Sequence, residues 1–154
     1  MKKNNGKTFS CYALITLQFI LGIGALFGGG ALVLSPDGTL LHMPVDILND
    51  SPFHSFLFPG LILFLVLGVY PVLIVFSLIY EKPVHFAEWL NFDKDAFWAW
   101  SHSLYIGFIL IIWITVQMYL IHDIALIHVV YIFIGLAIQV ASFLPSVRKH
   151  YALL

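Results

Sequence analysis

Charge is what this sequence has least of. Its 154 residues include seven Lys and Arg and eight Asp and Glu, 10% charged in all, where soluble domains carry roughly 25%. So apolar a chain is neither a soluble globule nor a disordered one, and a net charge of −1 offers no electrostatic footprint for nucleic acid. A single cysteine, Cys11, excludes a disulfide-stapled secreted domain. Residues 8–36, 51–80, 96–122 and 124–147 contain no Asp, Glu, Lys or Arg at all. What is present is hydrocarbon: 61% of residues are hydrophobic and the mean hydropathy is +0.98.

Each charge-free run exceeds the ~20 apolar residues that a helix needs to cross a bilayer core. None shows the short alternating segments of a membrane β-barrel. In lipid the backbone must satisfy itself within the segment, so the runs are helices. The expected architecture is an all-α membrane protein, one transmembrane domain over residues 1–154. It is a four-helix bundle with helices at 9–34, 59–80, 97–122 and 124–144. An outer lid loop covers 35–58 and an inner loop 81–96. The basic, then apolar, N-terminus is too long for a signal-peptide core and reads as an uncleaved helix. Cys11 reads as a buried small residue.

Lys2, Lys3 and Lys7 precede the first helix, Lys82 and Lys94 follow the second, and Arg148 and Lys149 follow the fourth. The other two connections hold no Lys or Arg. Positive residues stay inside, so both termini are expected in the cytoplasm of a multi-pass plasma-membrane protein. Pro83, Val84, Phe86, Trp89, Leu90 and Phe92 in the inner loop suggest a short helix lying on the membrane surface.

The outer loop is too apolar to lie free in water. The order Ser35-Pro36-Asp37-Gly38 signals a turn. Leu40, Leu41, Met43, Phe53, Phe56 and Phe58 must bury, either as a plain cap on the bundle or as a lid over a pocket. Gly28-Gly29-Gly30, Pro36-Asp37-Gly38, Leu41-His42-Met43-Pro44, Ser51-Pro52-Phe53, Leu57-Phe58-Pro59-Gly60-Leu61 and Leu144-Pro145-Ser146-Val147-Arg148 together resemble a group of small bacterial four-helix integral membrane proteins. The resemblance implies a bacterial plasma membrane and the same helix count. It implies no activity.

Within the spans the polar residues are few. Gln18 and Gln139 are expected to pair across the first and fourth helices. Gln117 lies toward the outer side, where it faces either a neighbouring helix or a site. Gly24-x-x-x-Gly28 gives the first helix a smooth packing face, against this chain or a second copy. Pro71 should kink the second helix. No carboxylate or cation lies within a span, which points away from ion pumps and proton-coupled carriers.

Seven histidines are the compositional oddity. His54, His122 and His128 with Asp123 fall at the outer side, and imidazole and carboxylate are what Zn²⁺ or Cu²⁺ selects. His54 with His128 could share a haem, whereas His102 and His122, about 30 Å apart along a helix, could not. Their spacing matches no metal motif, and the outer side has no Lys or Arg to clamp a phosphate. The leading expectation is therefore a non-catalytic protein. It would bind a lipid, a hydrophobic small molecule or a membrane partner under the outer loop, with Phe53 and Phe56 as apolar walls and His54, Gln117 and His128 fixing orientation. The alternative is a metal- or haem-dependent enzyme on the outer His/Asp cluster. The sequence itself names no cofactor.

Overall fold

The computed structural model describes residues 6–153. They form six helices: α1 (Phe9–Leu34), α2 (Leu57–Tyr80), α3 (His85–Trp89), α4 (Trp98–Ile121), α5 (Leu126–Phe143) and α6 (Pro145–Tyr151). Two 3₁₀ turns, Thr39–Leu41 and Val45–Leu48, shape the long loop. Among the described residues there is no strand, only one isolated bridge between Ala96 and Ala152.

Helices α1, α2, α4 and α5 are long and apolar enough to cross a membrane. Only 28–33% of each span is buried inside the chain. The remaining surface carries Phe, Leu, Ile and Val, which water does not tolerate over such an area and lipid does. The chain is a multi-pass helical membrane protein. Around the bundle the order is α2, α1, α5, α4, with α4 closing back on α2. At one end Lys7, Glu81 and His150 meet: Lys7 Nζ and His150 Nε2 lie 2.7 and 2.9 Å from Glu81 Oε1. At the other, the long loop reaches the α4–α5 turn, where His122 faces Asp50 at 3.9 Å. These are called here the Glu81 end and the loop end.

The α1–α2 contact is built on glycines, but not on the expected pair. A Cβ on Gly29 would lie 2.5 Å from the Phe64 backbone nitrogen, and one on Gly60 would lie 2.8 Å from Leu32 Cβ. Gly22 and Gly68 meet Val72 and Leu26 in the same seam. Gly24 faces the Tyr131 hydroxyl of α5 instead, and Gly28 meets only Leu63 Cδ2, at an ordinary 3.5 Å. The face that α1 turns to the α2 backbone is thus Gly22/Gly29, while Gly24 sits against α5. Glycines seven apart stay on one side of a helix, and here they let two backbones touch.

Pro71 acts differently from a simple kink. The turns before it, Leu63–Val69, are π-helical, and the Tyr70 N–H bonds back to the Leu65 carbonyl. Proline supplies no N–H and its ring crowds the carbonyl four residues back. Widening the helix moves that carbonyl aside without breaking the span.

Gln18 and Gln139 do not pair with each other. Gln18 Nε2 donates to Ser103 Oγ at 2.8 Å and Gln139 Nε2 to the Leu104 carbonyl at 2.8 Å. Ser103 gives its own proton to the Ala99 carbonyl, so its oxygen is free to accept. Both amides therefore tie their helices to consecutive buried residues of α4, which carries the carbonyl and hydroxyl they need. Helix α6 was not foreseen: it packs the C-terminal residues back against the Glu81 end, burying Val147 and Tyr151 completely.

Candidate functional site

The loop between α1 and α2 is folded by its own chemistry. Gly38 adopts φ +77°, which glycine takes without strain. Asp37 Oδ1 accepts from the Ser35 hydroxyl, the Thr39 hydroxyl and the Thr39 N–H. The Phe56 N–H then bonds the Pro36 carbonyl at 2.8 Å, closing the loop on itself. Leu32, Leu48 and Phe56 form a small buried cluster with Met43 and Phe53 packed against it.

The three donors hold the Asp37 carboxyl below the usual carboxylate range, the Ser35 hydroxyl being the largest cause. The stabilisation is present above the unfolded-state value and is lost as pH falls through the lower folded value. Thermal melts of the wild type and Asp37→Asn should therefore converge on acidification below the ordinary carboxylate range. Curves that stay parallel there would show the turn to be indifferent to the charge.

Beside this turn, Leu26, Phe27, Gly30, Ala31, Leu34 and Leu40 line an open apolar groove of about 410 Å³. Five of the six come from the loop-end half of α1, with Gly30 and Ala31 as its low floor. Leu40 is the wall added by the loop. The lining offers burial and no acid, base or nucleophile, so what it can hold is a hydrocarbon.

The residues expected to line a site lie elsewhere. Phe53 and Phe56 belong to the loop's own core. His54 is exposed and Gln117 is half-buried on α4. His128 is buried, and its Nδ1 accepts the Ala125 N–H at 3.0 Å. It caps the start of α5, where helical N–H groups have no backbone partner. Asp123 Oδ1 accepts the Ile124 N–H, and His122 faces Asp50. Among the described residues no three His, Cys, Asp or Glu side chains gather into a metal-holding group. His54, His122, His128 and Asp123 are not brought together: Asp123 and His128 serve the α4–α5 turn, and His122 faces Asp50 of the long loop. His128 Nδ1 accepts from the cap, so the neutral ring carries its proton on Nε2 and has no lone pair there to pair with His54 on haem.

The polar network that sequence reasoning missed is at the Glu81 end. His102 is buried. Its Nε2 faces the Ala87 carbonyl at 3.1 Å, so that nitrogen carries the proton and Nδ1 accepts from the Tyr70 hydroxyl at 2.6 Å. Asn91, also buried, accepts from Ser101 and donates to the Ala96 carbonyl at 2.9 Å and Glu88 Oε2 at 3.2 Å. The available signal was the run Ser101-His102-Ser103 inside an apolar helix. Comparison with family models, curated proteins and solved structures returns no match for this chain.

Proposed function

We propose that this protein is a non-catalytic membrane component that seats a lipid acyl chain in the groove between the loop-end half of α1 and Leu40. The single observation that carries the reading is that groove, open on its outer side and apolar throughout. Two of its floor residues are Gly30 and Ala31, which leave room where the helix would otherwise bristle. The reading includes a plasma membrane with both termini in the cytoplasm. Lys7, Lys82, Lys94, Arg148 and Lys149 belong to the Glu81 end or to segments continuous with it, and residues 35–58 and 122–125 have no Lys or Arg.

The test is native mass spectrometry of protein extracted in mild detergent. The wild type is expected to retain lipid. A Cβ on Gly30 meets the Phe64 ring at an ordinary 3.6 Å, so Gly30→Ala raises the groove floor without forcing helices apart. Retained lipid should fall several-fold in this variant while its melting temperature holds. Equal retention in both proteins would end the groove reading.

A further inference from the structure

The segment 84–92 joins α2 to α4 and contains α3. Apart from His85, its exposed side chains are apolar: Phe86 is 79% exposed, Trp89 77% and Phe92 57%, with Val84 and Leu90 beside them. On a surface facing water such a cluster would be a liability. The backbone of the same stretch is unusual in the opposite sense. Five carbonyls in and just beside it are met by side-chain donors rather than left for water. Trp98 Nε1 serves Lys82, His102 Nε2 serves Ala87, Lys94 Nζ serves Glu88, Tyr105 Oη serves Leu90 and Asn91 Nδ2 serves Ala96, at 2.6 to 3.3 Å.

The donors also give the depth. Tyr105 lies two turns into α4, about 10 Å along the axis at the rise of an α-helix, yet it bonds the Leu90 carbonyl at 2.8 Å. The segment therefore does not stand above the end of the bundle. It lies against the start of α4, level with the first turn of a membrane-spanning helix, where Ser101 and His102 also bond it, and its apolar face continues the lipid-facing surface of the spans. Irregular backbone at that level is stable only when its polar groups are satisfied from within.

We propose that 84–92 is an in-plane anchor whose partner is the bilayer itself, with Phe86, Trp89 and Phe92 immersed at the boundary between headgroups and acyl chains. Exposed Lys82 and Lys94 stand at its flanks, where headgroups would lie. The inference is independent of the groove at the loop end and of which end faces the cytoplasm.

The experiment places the full chain in vesicles of phosphatidylcholine and phosphatidylglycerol, with Trp98, Trp100 and Trp113 replaced by Phe so that Trp89 is the one tryptophan. Trp89 emission should be blue-shifted, lose its larger part to lipids brominated high on the acyl chain, and resist aqueous iodide. Quenching by iodide and not by brominated lipid would overturn the proposal. So would protection from both, which would mean a protein partner or second copy covers the face. Trp98 and Trp100 are buried donors, so a second variant avoids them. Phe86→Cys in a Cys11→Ala background takes a nitroxide, whose collisions with oxygen should exceed those with a water-soluble nickel complex. The reverse ranking overturns the proposal equally.

Discussion

Gly29→Ala should be the most damaging single methyl group that can be added to the seam between α1 and α2. The new Cβ would stand 2.5 Å from the Phe64 nitrogen, 2.8 Å from its Cα and 2.9 Å from the Gly60 carbonyl oxygen. All three are backbone atoms of α2, so no rotamer change relieves the clash. The helices must part along the seam, and a loss of about 3 kcal/mol, the upper end for overpacking, is expected. Gly22→Ala should cost less. Its nearest contact, at 2.7 Å, is the Val72 side chain, though the Gly68 carbonyl at 3.2 Å limits the escape. Gly28→Ala and Gly30→Ala meet only side-chain carbons at 3.5 and 3.6 Å and should be near neutral. Alanine also lowers the entropy of the unfolded chain. Denaturation in mixed micelles gives the ranking directly. If Gly28→Ala proved as harmful as Gly29→Ala, the packing face would be the Gly24/Gly28 one after all.

That ranking shows where the sequence stops being legible. The four spans could be read because membrane insertion depends on a one-dimensional property, the absence of charge over a sufficient length. Phe9–Leu34 follows directly from it. Which side of α1 touches α2 does not, because the spans are apolar all round and lipid asks the same of every face. Nothing in Gly22, Gly24, Gly28 and Gly29 says which pair meets a backbone. That is decided by Gly60 and Gly68 on another helix.

Pro71 was legible as a perturbation, but its remedy, a widened helix from Leu63 to Val69, depends on packing against α1. The polar partners were hidden for the same reason. Gln18 and Gln139 were read as needing bonds, and the acceptors proved to be on α4. The proposed groove lies between the first helix and the loop, and Phe53 and Phe56 do not line it, because they fill the interior that a 3₁₀-rich loop needs for itself.

The hardest element to foresee was α6, and its anchor gives the second large effect. Residues 145–151 are short and carry Arg148, Lys149 and His150, which reads as a solvated tail. Tyr151 is nevertheless 0% exposed. Its ring stacks on Phe97 at 6.2 Å, and its carbonyl accepts the Phe97 N–H at 2.7 Å. Its hydroxyl donates at 3.1 Å to the Leu78 carbonyl, one of the terminal carbonyls of α2 for which the helix itself has no donor.

Tyr151→Ala removes ring and donor together, and a loss of about 3–5 kcal/mol is expected from the precedent of buried aromatic truncations. Tyr151→Phe keeps the ring and orphans one buried acceptor, for about 1–3 kcal/mol. The difference between the two measures the packing alone. Burial pushes the phenol above its ordinary value. A raised folded value means its contribution is complete below the unfolded-state value and fades only as pH rises beyond it. Across neutral pH the gap between wild type and Tyr151→Phe should therefore stay constant, and in strong alkali it should close. A gap that vanished near pH 7 would show that Tyr151 is not the buried, protonated plug joining the end of α2 to the start of α4.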